Sequence, residues 1–145
     1  MTEQNSMHWE ANHTLGYEPM DQIHDEFLGL LAQLQGATNE QLSERLRLMD
    51  EHLQNHFEKE DTWMKQTEFP PRRCHMDEHA AVLKSIAEVR ALLEQGNFQI
   101  CRSLTDALEE WFAMHTTHLD SALAHWMGRN RLKGKPMVFK PMKRA

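Results

Sequence analysis

Six polar side chains stand where apolar ones belong. Four segments of the chain carry stripes that step by threes and fours, the spacing of one helix face. The first is Met20, His24, Phe27, Leu31 and Leu34. The second is Leu42, Leu46, Met49, Leu53, His56, Glu60 and Trp63. The third is His75, His79, Val82, Ile86, Val89 and Leu93. The fourth is Leu108, Phe112, His115, Leu119, Ala122 and Trp126. Burying one polar group without a partner costs roughly 2–7 kcal/mol. A hydrogen bond in the core accounts for a single such histidine. Six groups on four facing stripes must satisfy one another or share a common partner.

The stripes define the fold. Strand signals are sparse, and helix breakers fall at "YEP", "GATN", "TEFPP", "QGN" and "GRN". They bound four helices, Met20–Gln35, Asn39–Lys65, Arg72–Leu93 and Phe98–Met127. Short links between long helices specify an all-α, antiparallel up-down-up-down four-helix bundle. The chain of 145 residues suits one core. The division expected is an N-terminal arm over 1–19 that packs on the bundle through Trp9, the bundle over 20–128, and a basic C-terminal tail over 129–145. Antiparallel alternation then brings the six polar groups to one end of the bundle.

Their chemistry is that of a metal site. His56 and Glu60 are four residues apart, as are His75 and His79, so each pair projects from adjacent turns of one face. Six imidazole and carboxylate groups exceed the four of a tetrahedral structural zinc site and suit two ions. Thiolates are absent from the set, which argues against iron–sulfur and Cu(I) centres. Two neighbouring cations need anionic bridges, and Glu60 supplies only one. The stretch "HTTHLD" offers two further groups. In an α-helix His118 lies ~60° from His115 and Asp120 ~140° to the other side. Periodicity favours His118, whereas the need for a second carboxylate favours Asp120. A π-bulge would bring the i,i+5 pair closer. His52, one turn before His56, is a possible extra ligand, but Leu53 holds the seam there. His8, His13 and His125 lack such a setting, and Glu10–His13 is a lone ExxH in the arm. No HExxH motif, nucleophile elbow or phosphate loop occurs.

These residues resemble the hemerythrin family in its bacterial single-domain form. The family pattern of a histidine on helix 1, HxxxE on helix 2, HxxxH on helix 3 and HxxxxD on helix 4 is met by "MDQIH", "HFEKE", "HMDEH" and "HTTHLD". Trp9, Leu15, Gly16, Met20 and Asp21 match the family's lead-in, and the likeness spans roughly residues 9–127. The resemblance implies a non-haem di-iron centre, oxo- or hydroxo-bridged. His75, His79 and His115 would hold one iron, and His24 and His56 the other. Glu60 and Asp120 would bridge them. It implies reversible O2 binding as a hydroperoxide at the two-histidine iron, and a pocket lined by Phe27, Phe57, Trp111 and Phe112. The family's bulky aliphatic after the helix-4 histidine is here Thr116, whose hydroxyl is expected near that pocket and would speed autoxidation.

The remaining composition narrows the function classes. Residues 129–145 hold seven of the sixteen Lys and Arg and no acid. The first 128 residues therefore carry nine bases against 22 acids, which disfavours a nucleic-acid partner. The basic tail is a candidate docking element for an O2-consuming protein. No apolar run spans a membrane, the N-terminus lacks a signal core, and a cytoplasmic monomer or weak homo-oligomer is expected. Cys74 and Cys101 read as reduced thiols. The sole tyrosine, Tyr17, lies outside the stripes, which disfavours radical chemistry. With no further domain in view, an O2 carrier or store is expected ahead of a sensor. The runners-up are a di-iron enzyme acting on O2, peroxide or nitric oxide, and an iron-handling or interaction bundle.

Overall fold

A computed structural model describes residues 14–134, with side chains to residue 130. Helix α1 is Glu18–Gln35, α2 Asn39–Gln66, α3 Arg72–Glu94 and α4 Phe98–His115. A π turn, Thr116–Asp120, joins α4 to α5, Ser121–Gly134, as one continuous rod. Each helix packs on the next, and α4 returns to α1 to close the ring. This is the expected antiparallel four-helix bundle. Among the described residues no helix is long and apolar enough to cross a membrane.

Local chemistry sets the ends of the helices. Asp21, in the first turn of α1, accepts the backbone N–H groups of Leu15 and Gly16 at 2.8 and 3.1 Å, which ties down the described end of the arm. Trp9 lies outside the described residues. The Gln41 side chain accepts the Thr38 N–H at the start of α2 (2.9 Å), and Asn97 accepts the Ile100 N–H at the start of α4 (3.0 Å). Both α2 and α3 end in Schellman turns, in which the chain reverses through a left-handed residue. At α3 that residue is Gly96, φ +91°. At α2 it is Glu68, φ +56°, with the Phe69 N–H on the Met64 carbonyl at 2.9 Å.

The π turn changes the register of everything after it. The Ser121 N–H reaches the Thr116 carbonyl five residues back, rather than the usual four. The α-helical stripe expected beyond His115 was Leu119, Ala122 and Trp126. The residues buried are instead Asp120, Leu123 and Met127, each one position later. Leu119 and Trp126 are half-buried and Ala122 is exposed. One extra residue in a turn rotates the following helix by ~100°, the displacement seen. A smaller drift occurs in α2, where Met64 is buried in place of Trp63, as expected when a 3.5-residue seam is read onto a 3.6-residue helix. The last helix also runs through Gly128 to Gly134, so the first residues assigned to the tail are helical. A mid-helix glycine costs only about 1 kcal/mol, and the buried Leu123, Ala124 and Met127 anchor the turns before it. Residues 135–145 lie outside the described part.

The bundle core has three layers. A large apolar cluster includes Phe27, Leu31, Leu46, Leu53, Ile86 and Phe112. A second includes Tyr17, Met20, Met64, Phe69, Leu123 and Met127. The polar residues of the stripes fall at the junction of the two, as with His24 between Met20 and Phe27, Glu60 between Phe57 and Met64, and His115 and Asp120 between Phe112 and Leu123. Tyr17, expected off the seams, is buried in the second cluster with its ring edge-on to Trp63, centroids 5.3 Å apart.

The extra residue of the π turn should give the chain an unusual tolerance to deletion there. Deleting the exposed Thr117 should close the π turn into α-helix and leave Asp120, Leu123 and Met127 facing inward. The melting temperature is expected to fall by only a few degrees, given roughly 2–4 °C per kcal/mol for a domain of this size. Deleting Asp106, equally exposed but in the regular part of α4, turns Leu108, Phe112 and His115 off the core and should unfold the protein. Equal losses from the two deletions would contradict the argument.

Candidate metal centre

Seven ionisable side chains from all four sides of the bundle converge in the middle layer. His24 comes from α1, His56 and Glu60 from α2, His75 and His79 from α3, and His115 from α4. Asp120 comes from the end of the π turn. All seven are buried. His118, the rival to Asp120, is exposed. The π turn decides between them: it carries an i+5 residue round to the face of His115, with Nε2 of His115 3.1 Å from Oδ1 of Asp120.

The two carboxylates divide the histidines into two groups. Glu60 Oε2 lies 2.9 Å from His56 Nε2 and 3.7 Å from His24 Nε2. Its other oxygen, Oε1, lies 3.2 Å from His79 Nε2 and 3.8 Å from His75 Nε2. Asp120 repeats the pattern. Oδ2 is 3.0 Å from His24 Nε2, while Oδ1 is 3.0 Å from His75 Nε2. Thus one oxygen of each carboxylate faces a two-histidine group and the other a three-histidine group.

The contacts point to a shared cation rather than to a self-sufficient hydrogen-bond network. His24 Nε2, Glu60 Oε1 and Asp120 Oδ2 are buried and, close as they lie to one another and to His79, make no hydrogen bond of good geometry. Nε2 of His115 also sits 3.1 and 3.2 Å from Nε2 of His75 and His79. Leaving one buried polar atom unpaired costs about 1–3 kcal/mol, against a net stability of about 5–15 kcal/mol for a domain. Imidazole and carboxylate donors with no thiolate suit iron and similar borderline ions. Ligand atoms of Glu60, His75, His79, His115 and Asp120 form one group fit to hold an ion, and those of His24, His56 and Glu60 form a second.

A supporting layer aims the rings. His79 Nδ1 is 2.8 Å from Asp61 Oδ1, and His115 Nδ1 is 2.6 Å from Glu78 Oε1. A proton held on Nδ1 by a carboxylate leaves Nε2 to face the centre, and makes it more basic. The Trp111 N–H donates to the same Glu78 oxygen at 3.2 Å. Neither Asp61 nor Glu78 was among the residues singled out from the sequence. Their one signal there is position: Asp61 follows Glu60, and Glu78 precedes His79.

The aromatic residues expected around a ligand pocket divide between the groups. Phe112 meets the His24 ring edge-on at 5.1 Å and stacks on Phe27 at 4.5 Å. Phe57 stacks on His79 at 4.0 Å, and Trp111 on His115 at 4.4 Å. Thr116 does not bring a free hydroxyl to the site. Its O–H donates to the Phe112 carbonyl at 2.7 Å. The ground for expecting it to speed autoxidation is therefore missing. His52 stays outside the cluster, its ring edge-on to His56 at 5.3 Å. Burial, together with the charge of His56, pushes its pKa down to about 4. An open groove of about 480 Å³ runs past His52, Ile23, Lys59 and Trp63 to His56, on the two-histidine side.

Without metal, protons must neutralise the cluster. Burial lowers the pKa of His24, but the Asp120 and Glu60 carboxylates outweigh it and raise it to about 9. Burial likewise opposes, and Asp61 and Glu60 override, a rise to about 9 at His79. His115 is raised too, against burial, by Asp120 and Glu78. Burial and mutual repulsion push the carboxyls up. The surrounding histidines nonetheless hold Glu60 and Asp120 well below the ordinary range.

Comparison with known proteins gives one consistent result. The family model described as the hemerythrin HHE cation binding domain matches residues 15–126. A bacteriohemerythrin of Ralstonia nicotianae (strain ATCC BAA-1114 / GMI1000) is 32% identical over 121 residues, covering 83% of this chain and 88% of that protein. A bacteriohemerythrin of Aquifex aeolicus (strain VF5) is 30% identical over 115 residues, covering 75% and 88%. No solved structure gives a significant match.

The protonation pattern predicts how the metal-free protein responds to pH. Histidines raised from 6.5 to about 9 stabilise the fold fully below pH 6.5, and that contribution is lost as the pH rises through about 9. The depressed carboxyls stabilise it above their ordinary values of 4.5 and 3.8, a contribution lost on acidification. Urea unfolding should therefore show the metal-free chain weakening from pH 6.5 to 9, whereas divalent metal, which displaces those protons, should flatten the curve. A metal-free chain equally stable at both ends of that window would refute the assignment.

Proposed function

Because the chain belongs to the hemerythrin family, we propose that it is a reversible dioxygen-binding protein built on a non-haem di-iron centre, and not an enzyme. His75, His79 and His115 would hold one iron, and His24 and His56 the other, with Glu60 and Asp120 bridging. The observation that carries this reading is the division of each carboxylate, one oxygen toward each group of histidines. Iron so held would supply one electron from each ion to dioxygen and take both back on release.

The chain's own residues provide the rest. Two bridging carboxylates lower the net charge of a doubly cationic pair in a buried layer, where bare charge is costly. Asp61 and Glu78 fix the ring orientation on the three-histidine side. That group has one more imidazole than the other, so coordination space for a small ligand lies with His24 and His56. Phe27 and Phe112 wall that side with apolar surface and keep water from it. The groove that His56 helps to line would give a diatomic molecule an approach on that side.

The test is spectroscopic. The chain is reconstituted with ferrous iron without oxygen, exposed to O2, and then purged. A visible charge-transfer band that forms with O2 and disappears on purging is expected, over repeated cycles. Bleaching with continued consumption of O2, peroxide or nitric oxide would instead show turnover. No optical response to air would mean that the metal is structural.

A further inference from the structure

A π turn bypasses a carbonyl, and here that carbonyl is taken by a side chain. The Ser121 N–H bonds the Thr116 carbonyl and so leaves its α-helical partner, the Thr117 carbonyl. The Ser121 hydroxyl donates to that same Thr117 carbonyl at 2.7 Å. At the other end of the turn the Thr116 hydroxyl donates to the Phe112 carbonyl at 2.7 Å and approaches the Ala113 carbonyl at 3.3 Å. Two hydroxyl groups therefore bracket the five-residue turn that delivers Asp120. Hydroxyls bonded back to the preceding turn bend and loosen a helix. At these two positions that effect supports the wide turn against reversion to α-helix.

We propose that Ser121 is a positioning residue for the metal centre, its hydroxyl holding the π turn in the register that turns Asp120 toward the histidines. The inference rests on the reading of the seven residues as metal ligands. Without the hydroxyl, the Thr117 carbonyl competes for the Ser121 N–H and the turn loosens locally, so that Asp120 is held less firmly toward His115 while the buried Leu123 and Met127 keep α5 on the core. Ser121 is the chain neighbour of Asp120 and not one of the seven, and its hydroxyl bonds the backbone. It is half-buried, and its hydroxyl acts on the turn through the Thr117 carbonyl. The two-histidine group depends most on Asp120, since without it only His24, His56 and Glu60 remain there.

The experiment uses the full-length chain, freed of metal and titrated with Co(II) while the visible spectrum is recorded. The parent should bind two equivalents. In Ser121→Ala the second equivalent should bind at least about tenfold more weakly, the usual effect of losing a residue that orients a ligand. Ser121→Thr, which keeps a hydroxyl at the same place, should restore it. The unfolding midpoint of the metal-free Ser121→Ala chain should stay close to the parent's, which separates positioning from general stability. Thr116→Val, which removes the hydroxyl at the other end, gives a second reading should Ser121→Ala fail to fold. Parent-like Co(II) binding in Ser121→Ala would overturn the proposal and leave packing of Leu123 and Met127 as what holds the turn. A parent chain that takes up no Co(II) would defeat the metal reading and this inference with it.

Discussion

Two carboxylates buried among five histidines are the constraint on which the rest of the structure depends. Glu60 and Asp120 each present one oxygen to either side of the layer. A single charged group in such a place would be expelled or neutralised. Two of them, surrounded by imidazoles, form a site that protons satisfy poorly and cations satisfy well. The apolar clusters flank the layer, whose seven side chains are buried. The outer carboxylates Asp61 and Glu78 orient two of its rings. The four facing helices of the bundle bring imidazole and carboxylate groups to the layer from every side.

How much of this was legible in the sequence depends on how local each signal is. The five histidines and Glu60 stood out because they break hydrophobic stripes whose period is a property of each helix by itself. The ends of the first three helices were legible for the same reason, since Gly, Pro and Asn act within a turn, whereas the last helix runs on through Gly128. Asp120 was different. Its place depends on a π turn, and α-helical periodicity puts it ~140° from His115. Only the need for a second anionic bridge, and the family resemblance, singled it out. The same turn moves the buried stripe beyond His115 by one position, from the Leu119, Ala122 and Trp126 of α-helical periodicity to Asp120, Leu123 and Met127.

The supporting residues were hidden for another reason. Asp61 and Glu78 look like solvent-facing charges beside Glu60 and His79, and their role appears only once α2, α3 and α4 are packed. Thr116 shows the converse. Its departure from a family pattern suggested a polar group at a ligand pocket, yet its hydroxyl serves the backbone. Tyr17 reads as a residue outside the seams and proves to be core, because the second apolar cluster draws on the turn before α1 as well as on the helices.

The central claim is that the middle layer holds two ions, shared by two carboxylates and divided between two and three histidines. X-ray absorption on the iron-loaded chain, with iron counted per polypeptide, tests it most directly. The account predicts two irons per chain, nitrogen and oxygen neighbours without sulfur, and an iron–iron vector near the ~3.5–4 Å typical of paired metal sites or somewhat shorter with an added bridge. One iron per chain, or two with no iron–iron vector, would contradict it.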